Sequence, residues 1–412
     1  MIKTIEISQL RIGMYLHALP GNWTSHPFLR NRFLITAEED IRKITDAGFS
    51  RLEIDTEKGA DVHVASQDGG GENKAAPTAH GSSVTLAPVT FTETPASLSD
   101  ELARAKVLIS QAERLVRDLA QDVRLGKLVE LDRVEPVVEG IVGSILRNPN
   151  ALLVLLQLKK KDDYTFLHSV GVCALLTAFC RSVGLSAETT YHAGLGGLLH
   201  DIGKASIPDE ILNKPGRLTE AEFDVIKTHP EAGHAMLARV PGLSPIALDI
   251  TLRHHERCDG NGYPGALPGP EISELAKMAA IVDVYDAITS ERCYHRGMTP
   301  ANALAKMLEW SKVQLSDEHV RAFIRCIGIF PSGSLVRLAS GRLGVVVEQN
   351  SENLLKPTVN VFFNVKSNTY IKPERIDLAS SGAAEHERIM CAENPQRWKV
   401  EPHRFVEVGQ MT

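Results

Sequence analysis

No stretch of the 412 residues runs to about 18 consecutive apolar side chains, the length a helix needs to cross a hydrocarbon core, which argues against a membrane span. The N-terminal MIKTIEISQLRIGMYL lacks the basic, then apolar, then small order of a secretory signal, and the expected location is the cytoplasm. Six cysteines (Cys173, Cys180, Cys258, Cys293, Cys326 and Cys391) show no CxxC or other paired spacing. That argues against a disulfide framework and leaves reduced core and surface thiols. Positive charge is short as well: 45 Lys and Arg against 51 Asp and Glu give a formal net charge of -6. Binding to a nucleic-acid polymer needs a broad basic surface, which this balance does not supply. A small anionic ligand in a local basic or metal-lined pocket is compatible with it. No repeat of solenoid length is visible.

What is present divides along the chain. At 412 residues the sequence exceeds what one compact core ordinarily holds, so two or three domains are expected. In residues 1–64, FLITAEEDIRKITDAGFSRLEIDT carries Thr36 as a helix N-cap with Glu39 three residues on, the form of a capping box. Gly48 is the stop before RLEIDT alternates like a strand. With the strand-like IKTIEI and GMYLHAL, this predicts a small α+β domain. Residues 65–97 are rich in Gly, Ser, Thr, Ala and Pro and bury too little apolar area to offset chain entropy, which predicts a flexible linker.

From 98 to 330 nearly every segment has helical period. Leu108, Ala112, Leu115 and Leu119 form one apolar stripe on a long helix, read as core packing or, alternatively, as a homodimer seam. A capping box at Thr219 and Glu222 and the pairs Ser244-Pro245 and Thr299-Pro300 mark further helix starts. After Phe330 the period switches to two in SLVRLASGRLGVVVEQN and TVNVFFNV, with Ser340-Gly341 as a hairpin turn. Residues 331–380 are therefore read as a small β subdomain and 381–412 as a polar tail. The expected fold is mainly α: a helical bundle with a small α+β domain before it and a small β subdomain after it.

The chemistry lies in the histidines. Fifteen are present, and the informative ones fall on predicted helices or at their ends. His168 lies in YTFLHSVGVCALL, His200 beside Asp201 in GGLLHDIGK, His229 in IKTHPEAGH, His254 and His255 in LRHHERCDG, and Asp283 in AAIVDVYDAIT. One histidine on an apolar helix face is ordinarily a satisfied core residue. Five with two aspartates are harder to absorb, because a buried carboxylate without a partner costs several kcal/mol. A shared pair of cations supplies the compensation. Imidazole with carboxylate and no nearby cysteine pair suits Fe, Mn, Co, Ni or Zn. Helix-borne ligands converging inside a bundle match the architecture of di-iron carboxylate proteins, without their Glu-x-x-His spacing.

HDIGK at His200–Lys204, the spaced His168, His229 and Asp283, and HHERCDGNGYP at His254–Pro264 resemble the HD-GYP branch of the HD phosphohydrolase superfamily, within motifs spanning residues 164–296. Residues 1–64, with HPFLRNRFLITAEEDI and IDTEKGADV, resemble the uncharacterised domain found ahead of many bacterial HD-GYP domains. The resemblance implies a metal-dependent phosphodiesterase that hydrolyses the bacterial second messenger cyclic di-GMP to pGpG, and in some members on to GMP, by attack of a metal-bridging hydroxide. Carried over by position, it implies His168, His200, Asp201 and Asp283 on one metal and His229, His254 and His255 on a second, with Asp201 bridging. Lys204, one helical turn after His200, is implied at a phosphate oxygen, making Asp201 and Lys204 the catalytic pair. Asp286 and Arg292 match substrate-contacting positions. Tyr164 stands where three-metal members carry a glutamate, so two divalent transition metals are expected, Fe or Mn ahead of Ni, Co or Zn. His295 stands where Lys or Arg is usual, which implies a weaker or pH-dependent phosphate grip.

Gly260 to Gly265 also spells G-x-G-x-x-G. A dinucleotide-binding turn needs a strand before it and a helix after it. Here SPIALDITLRHHE is helical, and Pro264, Pro268 and Pro270 block an immediate helix. Gly260, Gly262 and Gly265 are read instead as allowing a tight loop that sets Tyr263 and Pro264 beside the metal site, as substrate wall or as a docking point for diguanylate cyclase (GGDEF) domains. Two other readings stay open. One is an HD-type hydrolase of another nucleotide or phosphate ester. The other is a catalytically weak or silent cyclic di-GMP sensor, favoured by Cys258, where an aromatic is common, and by His295, and opposed by the intact metal set.

Overall fold

The computed structural model describes residues 2–18, 33–35, 41–42, 44–45, 51–56, 59–60, 94–157, 164–290, 297–350, 352–380 and 387–406. The chain forms two compact units, residues 1–85 and 86–412. No described helix is long and apolar enough to cross a membrane.

In the first unit, β1 (Ile2–Glu6), β2 (Tyr15–Ala18), β3 (Phe33–Leu34) and β4 (Arg51–Asp55) make an antiparallel sheet in the order β1-β4-β2-β3. Alternation does what the sequence predicts in β4: Leu52 and Ile54 are buried while Arg51 and Glu53 face out. They join Ile5, Met14, Leu16, Ile35 and Ile44 in one small core. Ile41, Arg42, Ile44 and Thr45 are helical, and the Thr45 hydroxyl donates to the Ile41 carbonyl at 2.8 Å. The capping residues Thr36 and Glu39, the stop at Gly48 and the linker as far as residue 93 lie outside the described residues.

In the second unit the Ser97 hydroxyl accepts from the Asp100 amide and caps α1 (Leu98–Arg124). The stripe on α1 is core: Ala112, Leu115 and Leu119 are buried with Val134, Val138 and Ile141 of α2 (Leu131–Arg147), and Leu108 packs against the same cluster. Each buried leucine, valine or isoleucine among them contributes up to about 1.5–3 kcal/mol. α3 (Pro149–Gln157), α4 (Tyr164–Ser182) and α5 (Ala187–Leu199) follow. α4 and α5 are apolar nearly all round and lie at the centre of the bundle, as such helices must. Beyond α5 come a 3-10 turn (Ile202–Ser206), α6 (Asp209–Leu212) and α7 (Glu220–Ile226). The predicted capping box closes α7, with the Thr219 amide donating to Glu222 at 2.8 Å and the Glu222 amide to the Thr219 hydroxyl at 3.3 Å. α8 (His229–Leu237), α9 (Pro245–Arg253), α10 (Glu274–Thr289), α11 (Pro300–Trp310) and α12 (Asp317–Ile327) complete the bundle. α9 and α11 start at the two predicted cap-proline pairs.

The period-two segment folds as an antiparallel sheet of β5 (Leu335–Leu338), β6 (Arg342–Glu348), β7 (Thr358–Asn364), β8 (Thr369–Asp377) and β9 (Ile389–Ala392), ordered β8-β7-β6-β5-β9. Ser340-Gly341 lies in the β5–β6 turn as predicted, with Gly341 at φ 82°. β6 is covered on both faces. Leu343, Val345 and Val347 pack with Leu102 of α1 and Val154 of α3, and Val346 packs with Val336 and Leu338. The polar tail read from residue 381 is corrected: β9 completes the sheet edge, and Phe405 stacks on Phe362 with ring centroids 4.0 Å apart. Its described residues hold a four-residue strand, a four-residue helix (Pro395–Trp398) and a short 3-10 turn (Pro402–Phe405), each too short to leave a clear period in the sequence.

Candidate metal centre

Five elements deliver the candidate ligands. α4 presents His168, α5 ends just before His200 and Asp201, α8 opens on His229, His254 and His255 follow the end of α9, and α10 carries Asp283 and Asp286. Two glycines let these elements approach. A Cβ on Gly197 would come within 3.2 Å of the Cys173 backbone in α4, and one on Gly203 would fall 2.0 Å from the His229 carbonyl oxygen. Gly197 therefore lets α5 lie against α4, and Gly203 lets the turn after His200 and Asp201 press against α8.

The buried imidazoles are held by their second nitrogen. His200 Nδ1 lies 2.8 Å from the Gly197 carbonyl, His229 Nδ1 2.8 Å from that of Ile226, and His254 Nδ1 2.9 Å from that of Thr251. A carbonyl accepts only, so in each Nδ1 carries a proton, and in the neutral ring Nε2 offers a lone pair. Those lone pairs converge. His229 Nε2 is 3.3 Å from His254 Nε2 and 3.2 Å from Asp201 Oδ1. Asp201 Oδ2 is 3.3 Å from His200 Nε2 and 3.7 Å from His168 Nε2. The donor atoms thus sort into two groups, Asp201 with His229, His254 and His255, and His168 with His200 and Asp283, each within 4.8 Å. The two oxygens of Asp201 face one group each.

Whether a cation fits can be asked of the atoms themselves. His200 Nε2 and Asp201 Oδ1 are buried and have no hydrogen-bond partner among the described residues. Acceptors facing acceptors in a dry site are costly unless a positive charge lies between them, so the donor set fits two divalent cations. Protonation agrees. Burial pushes His255 down to about 3 and, with the neighbouring imidazoles, His254 well below its ordinary value. Burial alone would raise Asp201, but the charged form of His200 and the Lys204 ammonium hold it well below the carboxylate range; charged His168 does the same for Asp283. Neutral imidazole and ionised carboxylate are the forms that ligate a metal. His168 is the exception: burial acts downward, but Asp283 and Asp286 outweigh it and raise its pKa to about 9 without a cation.

Several sequence-derived positions are placed differently from expectation. Asp286, expected to contact substrate, is 6% exposed and sits behind His168, with Oδ2 2.8 Å from Nδ1. It orients a candidate ligand, a carboxylate–imidazole arrangement that the i+3 spacing from Asp283 on one helix makes possible. Lys204 does not continue the helix of His200. α5 stops at Leu199, and Lys204 lies on the 3-10 turn with Nζ 2.5 Å from Asp201 Oδ2. Arg292 and His295 lie outside the described residues, as does the side chain of Tyr164, which opens α4.

The glycine-rich loop is a built object and not a dinucleotide turn: α9 precedes it, and a short 3-10 turn at Gly269–Glu271 follows it. Glu256, which sequence reasoning passed over, is its anchor. The buried carboxylate accepts from the Gly265 amide at 2.6 Å and the Leu267 amide at 3.0 Å. The only sequence signal for it is that a Gly- and Pro-rich loop leaves its amides in need of an acceptor. Gly262 is required by close approach, since a Cβ there would lie 2.3 Å from the Arg257 amide nitrogen. Tyr263 is thereby set over His255, ring centroids 4.7 Å apart and tilted 35°. Cys258 ties the loop down through its backbone, donating to the Gln314 carbonyl at 2.9 Å and accepting from the Gly269 amide at 3.2 Å. Burial raises its thiol pKa, so it is not an activated nucleophile.

Residues 2–134 match the family model described as a domain of unknown function (DUF3391), and residues 146–320 match the HD domain. Over 403 residues the chain is 41% identical to the cyclic di-GMP phosphodiesterase PA4108 of Pseudomonas aeruginosa, covering 97% of this chain and 94% of that protein. It is 42% identical over 141 residues to the cyclic di-GMP phosphodiesterase response regulator RpfG of Xanthomonas campestris pv. campestris, covering 34% of this chain and 37% of that one. A 3'3'-cGAMP-specific phosphodiesterase of Vibrio cholerae is 38% identical over 149 residues, 36% of this chain and 34% of its own.

Proposed function

The chain belongs to the HD-GYP branch of the HD-domain family, and on that premise we propose that it is a phosphodiesterase that hydrolyses cyclic di-GMP to pGpG, with GMP as a further product, at a centre of two divalent metals. The observation that carries the reading is Asp201: its two carboxylate oxygens each face a separate set of imidazole lone pairs. In this reading His168, His200 and Asp283 hold one metal, His229, His254 and His255 the other, and Asp201 both. Two such cations, when bound, lower the pKa of water and polarise a phosphoryl oxygen. The protein's own contribution is positional. Backbone carbonyls fix the tautomers of His200, His229 and His254, Asp286 orients His168, and Lys204, a third exposed, offers a point charge to a phosphate oxygen. Tyr263 walls the site beside His255. The metals expected are Fe or Mn before Ni, Co or Zn, the location is the cytoplasm, and the loop at Tyr263 and Pro264 is the proposed contact for a diguanylate cyclase domain.

The test uses purified protein loaded anaerobically with Fe(II) or Mn(II) and incubated with cyclic di-GMP, beside a His200→Ala/Asp201→Ala double variant. The wild type should release pGpG and the double variant should not. Tight binding without turnover would sink the enzyme reading in favour of a sensor. A mixed GMP–AMP cyclic dinucleotide, run in parallel, should be the poorer substrate. Metal analysis should find two ions per chain, and three would overturn the two-metal assignment.

A further inference from the structure

The metal centre is closed on most sides. The side chains of His200, His229 and His254 are at most 1% exposed, whereas exposure rises to 24% at His255 and 32% at Lys204, marking the open side. On that side the rings form a series. Tyr263 lies over His255, and Phe223 of α7 meets Tyr263 edge-on, with centroids 6.4 Å apart and planes at 83°. Phe223 is 46% exposed, and the ammonium of Lys227 stands 5.4 Å from its ring. A lone exposed phenylalanine on a short helix is ordinary surface. This one is different because an unbroken run of ring contacts connects it to a candidate metal ligand at the site's open rim.

We propose that Phe223 is a base-stacking residue: with Tyr263 it takes the purine ring that flanks the scissile phosphodiester. The inference rests on the reading of the substrate as a cyclic dinucleotide. In such a molecule every phosphodiester is flanked by nucleosides, so a phosphate held at the metals brings a purine to the rim one sugar away. Aromatic faces hold bases by stacking; the Lys227 ammonium beside the ring is already paired with Asp224 at 2.6 Å, so the stacking role rests on the rings alone.

Metal-loaded wild type, Phe223→Leu and Phe223→Trp are compared for steady-state kinetics on cyclic di-GMP, metal content and tryptophan emission. Phe223→Leu should raise KM about tenfold, the order expected for one lost stack, with kcat and metal content close to wild type. Phe223→Trp should restore KM to within about threefold. Its added emission should be quenched saturably by a phosphorothioate analogue of cyclic di-GMP, against the wild-type background. A KM unchanged in Phe223→Leu, or Phe223→Trp emission indifferent to the analogue, overturns the stacking role and leaves Phe223 as a protein-docking or plain surface residue. A loss confined to kcat and accompanied by loss of metal also overturns it, as a structural effect. Wild type inert toward cyclic di-GMP would overturn the substrate reading, and this inference with it.

Discussion

His168 is the candidate ligand whose second nitrogen is held by a carboxylate instead of a backbone carbonyl. Replacing that carboxylate by the neutral amide in Asp286→Asn should weaken metal affinity at the His168 group about 10- to 100-fold, while a chelator titration still finds the His229 group occupied. Equal loss at both positions would show that Asp286 acts on the whole fold. Glu256 makes a comparable prediction for the loop. Glu256→Gln puts an amide NH2 where one of two backbone amides needs an acceptor, costing about 1–3 kcal/mol. A fall in Tm together with a raised KM is expected, and an unchanged KM would mean that the position of Tyr263 does not depend on this anchor.

Among the elements, the 3-10 turn after α5 and the start of α8 are joined by backbone contact. Gly203→Ala must push them apart, because its Cβ meets main-chain atoms and no flexible side chain end. Overpacking of this kind costs about 1–3 kcal/mol or more, and metal occupancy should fall with stability. Retention of full metal content would show that the turn tolerates the shift. At the start of α10, Glu274 sets a pH dependence. Burial acts to raise its pKa, but His319 and Lys277, at 3.1 and 3.0 Å, hold it down to about 2. A folded-state pKa below the ordinary 4.5 stabilises the fold above that value and ceases to do so as pH falls toward 2. Wild type and Glu274→Gln should differ in Tm near about pH 6 and converge in acid. A constant difference down to low pH would remove the ionic explanation.

For the molecule as a whole, converging acceptors make the bundle a structure that a cation completes. Stripping metal with a chelator should lower Tm by roughly 5–10 °C for a site saturated about 100-fold above its Kd, and readdition of Fe(II) or Mn(II) should restore it. Metal loss without a change in Tm would mean that the centre is preformed and gains nothing from the ions. The stripe of α1 also resolves at this scale: Ala112, Leu115 and Leu119 are spent on the chain's own core, so that stripe is not a dimer seam.

How much of this could be read beforehand depended on range. Helix starts at Thr219, Ser244 and Thr299, the hairpin at Ser340-Gly341 and the His and Asp residues of the centre were legible because capping, turn chemistry and buried polar residues are local signals. The strand at Ile389–Ala392 and the anchor Glu256 were not, since each exists only through partners far along the chain or around a loop. The contact between Asp286 and His168 is hidden for a related reason. Spacing puts it on a helix near Asp283, but only the packing of α4 against α10 decides that it faces His168. By itself the sequence determined the elements and the ligand chemistry, which follow from residue type and short-range period. The tertiary structure alone decided which ring nitrogens and carboxylate oxygens converge, that Asp201 turns one oxygen to each group, and which rings line the open rim, because those are distances between segments that no local rule constrains.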